Sequence, residues 1–156
     1  LMKERPTDAD WENFILQEKE GLVKAFSSLY LEILGEDEEK KASDEDEDED
    51  GEAGNFFALR ELMKLEYQML TKTERCFREL AVFWSNKTEI MKQVMDLMLY
   101  EDNGLQYEAI LQLSLFILLP NRSEAILNLL VKNAQAIVDI IRPFEPHSHD
   151  ENFRVL

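Results

Sequence analysis

The residues with the most distinctive chemistry form an acidic run, residues 44–50, in which seven carboxylates follow one another. Part of this run, with the glycine that follows it, matches positions 1, 3, 5 and 6 of a calcium-binding EF-hand loop, namely Asp46, Asp48, Asp50 and Gly51. Such a loop also needs a glutamate at its twelfth position to supply two oxygens, and that position is Phe57. We therefore predict a solvated, self-repelling loop and no calcium site.

Other candidate chemical groups are few and isolated. His147, His149 and Asp150 carry metal-ligand atoms, but two histidines two residues apart in a polar segment after a helix are typical of a loop. Cys76 has no histidine or carboxylate pattern around it, so we expect it in or near the core. The motifs of nucleophilic, metal-dependent and phosphate-binding enzymes do not occur in the sequence. The sequence therefore indicates a protein that is not an enzyme and that uses no cofactor, metal or small-molecule substrate.

Basic residues within apolar stripes form a second kind of candidate site. Arg60 and Lys64 lie one turn apart, Arg75 and Arg78 follow them, and Lys132 interrupts an apolar stretch. A cation beside an apolar groove is what a peptide with an aromatic–acidic–aromatic sequence needs. The alternative is that these side chains are solvated and lie along their helices with the charge in water.

The elements that must position these residues are helices. In residues 87–98 the apolar side chains recur at the spacing of one broad helical stripe, and residues 105–119 are apolar on nearly every side, as in a buried helix. We further predict helices over residues 10–34, broken around Gly21, over 55–70 and 72–84, and after Asn121 as far as a stop at Pro143.

Two asparagines mark helix starts in this interpretation. Asn86 with Glu89, and Asn121 with Glu124, have the spacing of a capping box, in which two side chains satisfy free backbone N–H groups of the first turn. Both asparagines also stand in glycosylation sequons, for which the helix cap is the preferred explanation.

About seven helices of roughly 10–16 residues, joined by short links, predict an all-α fold. The succession of a short capped helix, an apolar helix and an amphipathic helix between residues 86 and 142 favours a right-handed armadillo/HEAT-like helical repeat stack. An ordinary helical bundle is the alternative. The 156 residues suit one domain, residues 1–156, and we expect a disordered acidic insertion at about residues 36–53.

The charge of the chain is extreme but local. The net charge is −16, and residues 36–52 hold twelve acidic residues and two lysines. This acidity argues against nucleic acid or an anionic membrane as partner. A single cysteine fits a reducing, cytoplasmic location, and no apolar run approaches the length of a membrane span. Because the sequence opens on Leu1, we expect a fragment of a longer protein.

The segment NGLQYEAILQLSLFILLPNRSEAILNLLVKNAQAIVDIIRPF, residues 103–144, resembles the C-terminal part of the calcium-binding protein 39 family, also called mouse protein twenty-five. The resemblance rests on the motif from Gly104 to Ile110, on the run from Leu119 to Leu127, and on Lys132-Asn133, with no gap between them. Upstream, NKTEIMKQVMDLM and NFFALRELMKLEYQML also fit the family's pattern. The resemblance covers roughly residues 55–146 and extends more faintly over residues 13–34.

The resemblance implies a non-catalytic scaffold that activates a protein kinase by assembling its closed conformation. Members of this family hold a STRAD-type pseudokinase or a sterile-twenty-type kinase on a concave face and bind a C-terminal Trp-Glu-Phe peptide in a groove. The partner-contacting positions carried over are Arg60, Lys64, Met95 and Lys132, with Arg75 and Phe77 added after a shift of about two residues. One departure is Ala136, where the family has a second basic residue, so the peptide preference stays open. No calcium site is implied, despite the family's name.

Two other functions stay open from the sequence alone. One is a generic armadillo/HEAT interaction module with unrelated partners. The other is a chaperone of histones or other basic proteins that acts through residues 44–50.

Overall fold

The regular structure is helical throughout. The computed structural model describes residues 7–43 and 50–147, and for residues 36–43, 50–55 and 145–147 it describes the backbone alone. The elements are α1 (Asp8–Ser43), α2 (Asp50–Leu70), α3 (Arg75–Trp84), α4 (Thr88–Leu97), α5 (Asn103–Leu118), α6 (Glu124–Ile141) and a final 3-10 helix (Arg142–His147). No strand occurs within these ranges, so the prediction of an all-α fold is confirmed.

The helices pack as two successive groups of three. In the first group α1 contacts α2 and α3, and α2 also contacts α3; in the second, α4 contacts α5 and α6. The contact of α2 with α5 joins the groups. A side-chain pair joins them as well, since the Ser27 hydroxyl donates to Gln93 Oε1 at 3.1 Å and Gln93 Nε2 donates to the Ser27 carbonyl at 3.3 Å. This is the arrangement of a helical repeat stack, as the sequence predicts.

Helix α1 is longer than predicted and does not break at Gly21. A glycine inside a helix costs only about 1 kcal/mol relative to alanine. After Gly21, Val23 and Tyr30 are buried in the core, and before it Ile15 is half-buried against the core. Their packing therefore carries the helix through the glycine, and the predicted break is wrong.

The acidic run lies between α1 and α2. Helix α1 ends at Ser43 and α2 begins at Asp50, so both helices extend further toward the run than the sequence predicts. Residues 44–49 lie outside the described part of the chain. The expectation of a disordered insertion at about residues 36–53 stays a prediction.

The core is built mainly around α5. Ten of its sixteen residues are buried, which confirms the prediction of a buried apolar helix over residues 105–119. Asp102 caps its start by accepting a hydrogen bond from Leu105 N at 2.6 Å. Cys76 is also buried, as expected.

The two predicted capping boxes do not form, because Asn86 and Asn121 have other roles. Lys87 is the N-cap of α4 and makes no side-chain cap bond, whereas Ser123 caps α6 and accepts a hydrogen bond from Ile126 N at 3.4 Å. Asn86 instead links two loops: its Nδ2 donates to the Asn121 carbonyl at 3.2 Å, and its Oδ1 accepts from Ser123 N at 2.6 Å. Asn121 itself adopts a left-handed conformation with φ of 60°, which asparagine tolerates better than most residues.

A buried carboxylate forms the polar centre of the fold. Glu66 on α2 is 1% exposed and accepts hydrogen bonds from three other helices. The Tyr30 hydroxyl donates to Oε2 at 2.6 Å, Trp84 Nε1 to Oε1 at 2.7 Å, and Gln112 Nε2 to Oε2 at 2.8 Å. Burial raises the pKa of Glu66, and the three donors partly offset that rise. All three donors require a hydrogen-bond acceptor at position 66. Their bonds to Glu66 fix the positions of α1, α3 and α5 around α2.

We predict that Tyr30→Phe destabilises the protein, because it leaves a buried carboxylate oxygen with one donor fewer. The free energy of unfolding should fall by about 1–3 kcal/mol, measured by urea denaturation followed by circular dichroism. Tyr67→Phe, the same change on a half-buried tyrosine of α2, is the control and should stay within about 0.5 kcal/mol of the wild type. Equal effects of the two changes would contradict the role given to the Glu66 cluster.

We also predict a specific pH dependence from Glu66. Its pKa is higher in the folded than in the unfolded chain, so the folded state binds more protons in the interval between the two values. The contribution of Glu66 to stability is therefore greatest at acid pH and falls as pH rises through the folded pKa. The glutamine side chain of Glu66→Gln cannot titrate. The unfolding free energy of the wild type, taken relative to that of the variant, should therefore fall from about pH 4.5 to pH 8. Glu89→Gln, at an exposed position, should show no such trend, and a flat difference for Glu66→Gln would refute the assignment.

Candidate partner-binding surfaces

Arg60 and Lys64 lie on the same side of α2, one turn apart, but their surroundings differ. The Arg60 guanidinium lies against the backbone of Gly104 at the start of α5, so closely that a Cβ at Gly104 would stand 2.5 Å from Arg60 Cζ. Arg60 Nε is buried and has no hydrogen-bond partner among the described residues. Lys64 Nζ instead pairs with Glu61 Oε1 at 2.8 Å. Arg60 therefore keeps an unused donor near the junction of α2 and α5.

Met95 and Lys132 lie on two helices that contact each other. Met95, on α4, is half-buried and packs against the core, whereas Lys132, on α6, is exposed. None of the carboxylates in the described part of the chain forms an ion pair with Lys132. Because α2 and α4 both contact α5, the helices that carry Arg60, Lys64, Met95 and Lys132 belong to one packed unit. The described contacts join these helices, and none joins the four side chains directly.

Arg75 and Phe77 do not share a face of α3. Residues two positions apart in an α-helix, such as Arg75 and Phe77, are separated by about 200° around the helix axis. Arg75 is exposed and pairs through Nε with Glu79 Oε1 at 2.9 Å, a contact that raises the pKa of Arg75. Phe77 is half-buried against the core, with Lys72 Nζ 4.8 Å from its ring centroid. These two predicted contact residues therefore point in different directions.

A cleft along α3, bordered by Lys19 of α1, brings together residues that the sequence did not group. Its volume is about 670 Å³, and it is lined by Lys19, Arg75, Arg78, Glu79, Val82, Phe83, Asn86 and Lys87. Arg75 is the one residue of the predicted site that lines it. Lys87 Nζ lies 4.1 Å and Lys19 Nζ 5.3 Å from the centroid of the Phe83 ring, close enough for cation–π attraction.

The sequence held part of the signal for this cleft. Arg75, Arg78, Val82 and Phe83 follow the three- and four-residue spacing of one helix face. Lys19 comes from α1, more than fifty residues earlier, and its position depends on the packing of α1 against α3. Sequence spacing alone does not predict how α1 packs against α3.

Metal sites and membrane-spanning helices are two further classes of feature. No group of three or more His, Cys, Asp or Glu side chains in the described part of the chain could hold a metal ion. The side chains of His147 and His149 lie outside the described residues, as do all of those in the acidic run. None of the described helices is both long and apolar enough to cross a membrane.

Comparisons with known proteins place the chain in a family. A model of the Mo25-like family matches residues 52–155, a range that includes all six residues of the predicted contact site. Neither the curated proteins nor the solved structures gave a significant match. Because the matched range covers well over half of the sequence and the fold is the helical repeat of that family, the chain belongs to the Mo25-like family of scaffold proteins.

Proposed function

We propose that this chain binds and activates a protein kinase or pseudokinase, of the STRAD or sterile-twenty type, as a non-catalytic scaffold of cytoplasmic signalling. The observation that carries the proposal is the Mo25-like match over residues 52–155. The buried, unpaired Cys76 is compatible with a reducing compartment.

The proposed docking groove for a C-terminal Trp-Glu-Phe peptide is built from α2, α4 and α6. Met95 supplies an adaptable apolar contact for an aromatic side chain. Arg60 and Lys132 supply positive charge, since neither is neutralised by an ion pair among the described residues. Lys64 contributes less in the free protein because Glu61 already holds its ammonium group. The apolar and cationic groups therefore complement the two aromatic residues and the two carboxylates of such a peptide.

The proposed kinase contact at Arg75 and Phe77 needs two separate partner elements. Arg75 faces the cleft on α3, whereas Phe77 lies toward the core beside Lys72. A partner that contacts both must reach around α3. Arg75 must also exchange its ion pair with Glu79 for one with the partner.

The first test is direct binding of a labelled peptide that ends in Trp-Glu-Phe, measured by fluorescence anisotropy. We expect Lys132→Glu and Met95→Ala each to weaken binding about 10-fold or more, through loss of a charge-assisted contact and of apolar contact area respectively. Lys24→Glu is a matched control. Lys24 lies on α1, which carries none of the groove residues, and it makes an exposed ion pair with Glu20.

That control variant should bind the peptide like the wild type. If the peptide binds equally to the wild type, Lys132→Glu and Met95→Ala, the groove is wrongly assigned. Capture of the partner kinase by the wild-type chain, with a rise in its activity, tests the wider proposal.

The second test uses Gly104 to move Arg60 without removing it. A methyl group at position 104 would overlap the Arg60 guanidinium, which is the end of a flexible side chain and can swing away. We therefore expect Gly104→Ala to weaken binding of the Trp-Glu-Phe peptide about 3- to 10-fold, by displacing a charge-assisted donor, while the thermal midpoint changes little.

Gly21→Ala is the control for this change. A Cβ at Gly21 would meet only Glu18 Oε2, at an ordinary contact distance of 3.6 Å. Peptide affinity should be unchanged in Gly21→Ala. An unchanged affinity in Gly104→Ala as well would remove Arg60 from the proposed groove.

A further inference from the structure

The cleft on α3 holds more positive charge than its own carboxylates balance. Arg75 is paired with Glu79, and the charge of Glu12 also acts on Arg75. Lys19, Arg78 and Lys87 remain, and no carboxylate of the described residues forms an ion pair with any of the three. The cleft therefore presents three uncompensated cations on a chain whose net charge is −16.

Two of these cations lie close to the same aromatic ring. Lys19 and Lys87 are both half-buried, and both ammonium groups lie over the Phe83 ring. Cation–π contacts compensate an ammonium group only partly for lost water. Two like charges held near one ring also repel each other. A bound anion would relieve both costs.

The acidic run of the same molecule is too far away to be that anion. Lys19 and Ser43 are 24 residues apart on one continuous helix, α1. At 1.5 Å per residue the separation is about 36 Å. Residues 44–49 must also connect Ser43 to Asp50, and six residues of chain span at most about 20 Å. The acidic run is therefore out of reach of the cleft in the same copy of the chain.

The dimensions of the cleft limit what the bound anion can be. Helix α3 has 10 residues, so its length is about 15 Å. An extended peptide rises about 3.3 Å per residue, which gives about five residues along the cleft. A long polyanion such as nucleic acid or an anionic membrane surface would be repelled by the rest of this acidic chain.

We propose that this cleft is a second docking surface, separate from the α2–α4–α6 groove, which binds a short acidic segment of a partner protein. Lys19, Arg78 and Lys87 bind its carboxylates, and Val82 with the edge of Phe83 contacts its aliphatic carbons. The surface shares no cation with the Trp-Glu-Phe groove: Lys19 lies on α1, Arg78 on α3 and Lys87 at the N-cap of α4.

The test is binding of a fluorescein-labelled penta-glutamate peptide to the full chain, with a penta-glutamine peptide as the neutral comparison. We expect only the acidic peptide to bind, with an affinity that falls as salt is raised. Arg78→Glu and Lys87→Glu should each weaken binding about 10-fold or more by reversing a contacting charge. Lys92→Glu, a change at an exposed lysine on α4 outside the cleft, should bind like the wild type.

Three outcomes would overturn the proposal. One is equal binding of the acidic and neutral peptides, and another is unchanged binding in Arg78→Glu and in Lys87→Glu when circular dichroism shows both variants folded. The third concerns the occupant: if the wild-type chain self-associates, the penta-glutamate peptide separates the copies, and a chain lacking residues 44–50 does not self-associate, the site binds the acidic run of a second copy. Lys19→Glu, on a different helix, gives an independent reading should Lys87→Glu fail to fold.

Discussion

The packing of this protein depends on one buried carboxylate. Glu66 receives hydrogen bonds from Tyr30, Trp84 and Gln112, so one side chain of α2 orients three other helices. Apolar contacts alone tolerate small slides of one helix past another. Three donors converging on two oxygen atoms do not, because any slide leaves a buried polar group unpaired. The positions of α1 against α3, and of α2 against α5, follow from this centre, and both candidate binding surfaces use one of those two junctions.

The Asn86 link has a comparable effect at the other end of the second group of helices. It ties the α3–α4 loop to the α5–α6 loop through hydrogen bonds with Asn121 and Ser123. In a repeat stack each group of helices contacts only its neighbours, so such links between loops fix how one group turns relative to the next. The same link joins the loop before α4 to the loop before α6, the two helices that carry Met95 and Lys132.

The sequence predicted the helices well because most of them carry a strong local pattern. The apolar stripe of α4, the nearly all-apolar α5 and the proline after α6 are visible without any tertiary information. The errors have a common physical origin. Gly21 does not break α1, and Asn86 does not cap α4, because packing and loop–loop hydrogen bonds outweigh local preferences that are worth about 1 kcal/mol. The Glu66 cluster and the cleft around Phe83 could not be predicted, since each joins side chains that are far apart in sequence. The six contact residues were predicted from a family resemblance. The fold shows which of their helices pack together, and their contacts with a partner stay a prediction.

The length of α1 also separates charge within the molecule. Its far end adjoins the acidic run, while Lys19, one of the unpaired cations near Phe83, lies about 36 Å from Ser43 along the same helix. Such a separation gives the protein a permanent electric dipole moment. In the field of an approaching partner a dipole experiences a torque, so the molecule rotates before contact and presents its cationic end to negative charge. Lengthening or recharging the acidic run would then alter the orientation, and hence the frequency, of productive encounters without changing a single contact in the bound complex.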